Sequence, residues 1–341
     1  MWKILVTGGF GFIGGHLIEL LLEDKENHVH VVDNLSTNPI PLDILLNELN
    51  HPSNLTYDIC TVEEFCTRNK NFAVDRIFHL ASPVGPAGVL NYAGKMIKSI
   101  VDDTYLMMEM ASRNNAKLVD VSTSEVYGGG RDGYCSEQCS KIVPPVTTVR
   151  LEYAIGKLAA ETAIINTCRV SDLCACIIRP FNIAGPRQSG RGGFVLPRFI
   201  SLAMMGQPMT VFLEGKQIRA FTNVKDMAEG IKRVMDYGKG GEAYNLGNPH
   251  NKITILNLAE RVLEIIGTGS GITFVDPKTI YGPLYEEAND KYPDADKAMA
   301  ELKWSPTKGI DYTIKETFEY MQRVTPEVFR LLSGLDVGAG R

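Results

Sequence analysis

The stretch Lys3-Ile4-Leu5-Val6-Thr7-Gly8-Gly9-Phe10-Gly11-Phe12-Ile13-Gly14 decides how this chain folds. Its unbroken apolar start predicts a strand over 3–7, buried on both faces, and the spacing after Gly11 predicts a helix over about 11–22. Glycines 8, 11 and 14 join the two. Glycine is needed where the backbone turns sharply and where a pyrophosphate approaches with no Cβ in its way. The first helical turn then offers its N–H groups to the anion. Gly8, Gly11, Phe12 and Ile13 are therefore expected at a dinucleotide. Asp33 stands 19 residues after Gly14, at the end of the next apolar run, placed to accept from a ribose 2′-hydroxyl. A carboxylate there repels a 2′-phosphate, and no basic residue follows in Asn34-Leu35-Ser36, so NAD is expected rather than NADP.

Outward from this loop, short apolar runs alternate with helical patterns. Strands are expected over 3–7, 29–33, 55–57, 76–80, 117–122 and 175–179, and helices near 11–22, 95–111 and 150–166. That alternation predicts an α/β chain: a Rossmann-type, doubly wound parallel sheet with ligands beyond the carboxyl ends of its strands. After Pro180 the pattern changes to a Gly-, Arg- and Pro-rich loop, then helices near 195–205 and 256–266. The expected division is an NAD-binding domain over 1–180, with later segments at about 221–250. A smaller, interleaved substrate domain covers mainly 181–325, and a tail covers 326–341, with one short helix followed by coil.

The 341 residues carry 35 basic and 40 acidic side chains, a net charge of −5, which argues against a nucleic-acid partner. No run approaches the roughly 18 apolar residues of a membrane span, and the N-terminus does not resemble a signal peptide. Seven scattered cysteines form no disulfide framework. Cys135 and Cys139 fall in a polar loop without the ligand set of a zinc site, so no metal is expected. Cys174 and Cys176 read as small core residues on one face of a strand. The expectation is a reduced, cytoplasmic protein.

Tyr153 and Lys157 are four apart on a predicted helix and share a face. A phenol with a pKa of about 10 is a poor base at neutrality. An ammonium and a cationic nicotinamide beside it favour the phenolate, which can take a hydroxyl proton while hydride leaves. Upstream, Ser122-Thr123-Ser124-Glu125-Val126-Tyr127-Gly128 closes a strand with hydroxyls and a carboxylate at the lip of the expected site.

Gly8-x-x-Gly11-x-x-Gly14 with Tyr153-x-x-x-Lys157 resembles the extended short-chain dehydrogenase/reductases, the NAD-dependent nucleotide-sugar epimerase/dehydratase family. The resemblance covers about 1–325. It implies that Asp58 and Ile59 contact adenine and that Leu80, Ala81 and Ser82 lie beside the cofactor, with Pro180 also at the cofactor. Tyr153 acts as base, Lys157 holds the nicotinamide ribose, and Thr123 orients the reacting hydroxyl. Only Thr104 remains of the family's Asn-x-x-Gly-Thr run.

Ser-Thr-Ser-Glu-Val-Tyr-Gly and Arg150, three before Tyr153, most resemble the UDP-glucuronate decarboxylases, with Glu125 assisting at C5 or C6. Ser124, Glu125, Arg150, Asn182, Val195, Arg219 and Lys291 are then expected at a nucleotide-sugar, a UDP-sugar. Lys291 stands where the branch has Arg, which keeps charge but loses bidentate geometry. The implied reaction is oxidation at C4 followed by decarboxylation. A 4-epimerase or 4,6-dehydratase shares the first step, and a non-catalytic NAD-sensing regulator is the reading from another class. The resemblance also implies a homodimer through helices near 95–112 and 150–166, an interface that Met107, Met108 and Met110 would fit.

Overall fold

A computed structural model describes residues 1–85, 88–128, 134–143, 148–285 and 290–335. Seven strands make one parallel sheet: β1 (Lys3–Thr7), β2 (His28–Asp33), β3 (Leu55–Ile59), β4 (Arg76–His79), β5 (Lys117–Val121), β6 (Ala175–Pro180) and β7 (Ala243–Leu246). Their spatial order is β7-β6-β5-β4-β1-β2-β3. The order reverses between β1 and β4, which opens a crevice at the carboxyl ends of these two strands.

Successive strand residues point to opposite faces, and the apolar runs feed both. Ile4, Val6, Val29, Val31, Phe78 and Val119 enter one core with Leu17, Ile18 and Leu21 of α1 (Phe12–Leu21). Leu5, Val32, Ile77 and Leu118 enter a second core on the other face, under α2 (Met96–Asn114) and α3 (Val149–Val170). Met107, Met108 and Met110 belong to this second core and are buried within the chain. Of the two readings open to the methionine cluster, a subunit interface or core packing, the structure has core packing.

The first core does not stop at the sheet. It runs into α4 (Val195–Met204), α5 (Val224–Tyr237), α6 (Ile255–Ile266), α7 (Ile310–Arg323) and α8 (Pro326–Ser333). Thr325 caps α8 by accepting from Val328 N–H, and Val328 and Leu332 are buried. The tail expected from 326 thus begins as a packed helix, because its apolar residues recur at i and i+4. Residues 336–341 lie outside the described residues.

Two cysteine readings change. Cys176 is buried in β6, but Cys174 is exposed and precedes the strand. Cys135 is buried in the two-residue strand Tyr134–Cys135, paired with Tyr292–Pro293, and so is not in a polar loop.

Candidate active site

A cavity of about 990 Å³ opens at the carboxyl ends of the strands. That is ample for a dinucleotide and part of a second ligand. At one end stands the glycine loop. A Cβ on Gly14 would lie 2.3 Å from the Gly8 carbonyl oxygen, and one on Gly8 would lie 2.7 Å from Ala81 N. Gly8 also has φ +69°, a conformation that L side chains rarely adopt. Gly11 precedes α1 without a side-chain cap, so the helix start is left for an anion. Asp33 accepts from the N–H groups of Phe10 at 2.9 Å and Leu35 at 2.8 Å, which fixes its carboxylate at the cavity wall. This cradle fits an adenine dinucleotide: tight glycines, a helix start and a ribose-facing carboxylate.

Gly8, Gly11, Phe12, Ile13, Asp33, Asn34, Leu80, Ala81, Ser82 and Pro180 all line the cavity. Asp58 and Ile59 do not. Asp58 lies 3.1 Å from His30 Nε2, and Ile59 is exposed, while Cys60, Thr61 and Val62 form the wall at that end. The wall falls just past the strand, where the capping box of Thr61 and Glu64 turns the chain into a short helix.

The catalytic candidates come from two elements. Thr123 caps a short turn by accepting from Glu125 N–H at 3.2 Å, and Gly128 at φ +84° ends that turn. Thr148 caps α3 through Leu151 N–H, which sets the phase of the helix and points Tyr153 and Lys157 at the cavity. Thr123, Ser124, Glu125, Arg150, Tyr153 and Lys157 line one wall together. Tyr153 hydrogen-bonds with Thr123. Burial pushes its phenol up from the ordinary value; the Thr123 hydrogen bond opposes this, and the Glu125 and Asp120 carboxylates add to it. Lys157 turns its charge to the main chain here. That ammonium is buried, its pKa lowered by desolvation, and it donates to Val121 O at 2.8 Å.

Glu125 is held differently from what its spacing suggested. Arg150 grips it with two donors, Nε to Oε2 at 2.8 Å and Nη2 to Oε1 at 2.9 Å, and Lys291 Nζ donates to Oε1. Burial alone would raise the carboxyl, but the two cations win and hold it well below the usual carboxylate range. Arg150 thus stands in the first turn of α3 with its guanidinium turned into the site. Lys291 is 2% exposed and reaches the site from behind Glu125 rather than lining it. Its backbone bridges to that of Arg219, whose guanidinium donates to Ile218 O and lines the cavity.

Asn182 and Val195 also line the cavity. Asn182 sits at φ +33°, and its buried Nδ2 has no hydrogen-bond partner among the described residues. Gln188, which the sequence reading missed, lines the same wall with its buried Oε1 likewise unpartnered. Its only sequence signal was its place in the Gly-, Arg- and Pro-rich loop.

These features define a nucleotide-dependent oxidoreductive site on a doubly wound sheet. Residues 4–247 match the NAD dependent epimerase/dehydratase family, and the chain belongs to that family. It is 35% identical over 304 residues to UDP-glucuronic acid decarboxylase 6 of Arabidopsis thaliana, covering 89% of this chain and 84% of that one. It is 30% identical over 337 residues to UDP-N-acetyl-alpha-D-glucosaminuronate decarboxylase of Bacillus cytotoxicus, covering 94% and 98%. Among solved structures, UDP-glucuronic acid 4-epimerase from Bacillus cereus in complex with NAD superposes with a TM-score of 0.78 at 25% identity, covering 94% of this chain and 99% of that one.

Proposed function

We propose that the protein is an NAD-dependent decarboxylase of a UDP-hexuronate, UDP-glucuronate first among them. One observation carries the reading: a carboxylate, Glu125, clamped by two cations on the wall that also bears Thr123, Tyr153 and Lys157. Arg150 and Lys291 bring two positive charges to one carboxylate, and Arg219 adds a third to the same cavity, an excess that suits an anionic sugar nucleotide. The decarboxylases among the relatives act on substrates of this class.

Bound NAD supplies reversible two-electron oxidation at C4; the glycine loop, Asp33 and Lys157 hold it. Tyr153 takes the C4 hydroxyl proton, and Thr123 orients that hydroxyl by its side-chain oxygen. Lys157 would hold the ribose when the dinucleotide is bound, and its ammonium would bring the positive charge that the buried phenol needs to ionise. A 4-ketone turns the C6 carboxylate into a β-keto acid; the C5–C6 bond breaks with loss of CO2, C5 takes up a proton from water, and the C4 carbonyl regains the hydride and the proton held by Tyr153 to give the UDP-pentose. Glu125 stays ionised beside it, so its part at C5 or C6 is electrostatic, holding Arg150 and Lys291 in place, and it has no proton to donate. Asn182 and Gln188 offer unpaired amide atoms to the sugar nucleotide, and Arg219 a guanidinium to the diphosphate.

The 1–180 and 181–325 division is part of this proposal, as are a cytoplasmic setting and a homodimer through α2 and α3. Ile97 and Tyr105 are exposed on α2, which supports the dimer. No helix among the described residues is long and apolar enough to cross a membrane.

Incubation with UDP-glucuronate and NAD tests the reaction. Release of CO2 with a UDP-pentose product is the expected result. A mass-neutral product indicates the 4-epimerase, loss of water the dehydratase, and NAD binding without turnover the regulator.

A further inference from the structure

The mechanism leaves one buried acid without a task. Asp120 lies in the middle of an apolar strand, 1% exposed, and both its carboxyl oxygens lack a hydrogen-bond partner among the described residues. An unpaired buried carboxyl is expensive, so its presence asks for a compensating charge. Sheet register supplies the setting. Thr7, His79 and Asp120 are direct neighbours across β1, β4 and β5. They share the face of the sheet that α2 and α3 cover, as Leu5, Ile77 and Leu118 do two residues earlier.

Thr7 Oγ1 accepts from Ala81 N–H at 3.3 Å and lies 2.7 Å from His79 Nδ1. In the tautomer where the Thr7 hydroxyl donates to Nδ1, His79 carries its own proton on Nε2, which lies 4.0 Å from Asp120. Burial and the Lys157 charge hold His79 neutral, lowered to about 3. His79 thus steadies Asp120 as a dipole and cannot neutralise it.

The charged groups facing Asp120 come from α3. Glu161 is already taken, by Arg179 at 2.6 Å and Ser122 at 2.5 Å. Lys157 is the remaining cation, and it donates to the carbonyl of Val121, the residue next to Asp120. From α2, Asp103 also acts on Lys157, but it stands at the cavity wall, partly exposed.

We propose that Asp120 is a positioning residue for Lys157: its carboxylate, buried in the row Thr7–His79–Asp120, is the counter-charge that keeps the lysine cationic where it meets the nicotinamide ribose. The proposal rests on the dinucleotide site assigned above, and not on which sugar is turned over. Burial lowers Lys157, and Asp120 is the first charge opposing that fall. Asp120 itself is pushed up to about 6 by burial, against the pull of Lys157. Above that pH its charge supports the ammonium, and below it the support is lost.

The test reads Lys157 directly, without substrate. The 13C shift of its ε-methylene, assigned by loss of the signal in K157M, is followed with pH in the dinucleotide-free and NAD-loaded protein. D120N and D120L should each lower the titration of Lys157 by at least tenfold in proton affinity, with the alkaline limb of turnover moving by the same amount. D103N should move it less, and an inflection near pH 6 should persist in D103N. An unmoved lysine in either Asp120 variant, an equal shift in D103N, or no inflection near pH 6 in the D103N protein overturns the proposal. Should one variant fail to fold, the other and the D103N inflection still decide. Absence of CO2 release from UDP-glucuronate would sink the functional reading and leave this one standing.

Discussion

The two ends of the cavity are built by different means. The glycine end is made of backbone: a strand, a turn and a helix start that are contiguous in sequence, with Gly8 and Gly14 so tight that a Cβ meets main-chain atoms. The charged end is made of side chains from distant places, with Glu125, Arg150, Arg219 and Lys291 converging on one spot. The first can hold only what fits its main chain, so its chemistry is fixed. The second can be retuned by one substitution, and Lys291 in place of the branch's Arg is such a change. Tyr153 stands where the two ends meet.

The largest effect should come at that meeting point. Tyr153→Phe removes the base and should cut turnover by about a thousandfold or more, with the melting temperature nearly unchanged; single-turnover formation of reduced cofactor measures it. Retained turnover would make the junction idle and the comparison empty. Next comes the backbone end. Gly14→Val forces a side chain onto the Gly8 carbonyl and should weaken NAD binding at least tenfold, read by calorimetric titration. Tight binding by that variant would mean that the loop gives way, contrary to a rigid cradle.

At the charged end, Lys291→Met leaves Glu125 with Arg150 alone and should destabilise by up to about 3 kcal/mol in urea unfolding. The pH dependence has a definite sign. Because the folded pKa of Glu125 is depressed, its contribution is complete above the unfolded carboxyl value of about 4.3 and is lost as pH falls through the folded value. Lys291→Met should therefore lose most of its deficit in acid, whereas Lys291→Arg should stay close to the parent at every pH. A deficit that is equal at all pH values would mean that the lysine matters for packing and not for charge. The smallest effect is local: Thr148→Ala removes the cap of α3 and should cost about 1 kcal/mol, with kcat shifting little.

How far the sequence could be read follows the same division. The Gly8 loop, Asp33 and the Tyr153–Lys157 pair declare themselves by spacing within one element, and the structure places all of them on the cavity wall. The clamp on Glu125 joins positions 125 and 291, and no local pattern reports a contact of that range. Asp120 was hidden for the opposite reason: a single acid inside Lys117-Leu118-Val119-Asp120-Val121 looks like a strand and nothing more. Met107, Met108 and Met110 show the limit of composition, since apolar side chains read alike whether they face a partner or the chain's own core. At Cys174 the start of the strand was read correctly at Ala175, and the miss was to count a residue that precedes it among those sharing its face.

One continuous apolar interior, from Ile4 to Leu332, underlies both ends of the cavity. The family match stops at 247, but the packing does not. A fragment cut there would remove α6, α7 and α8 and lay bare the face of α4 they pack against. The two proposed domains therefore share an interior, and a substitution on the substrate side is felt by the packing that carries the dinucleotide cradle.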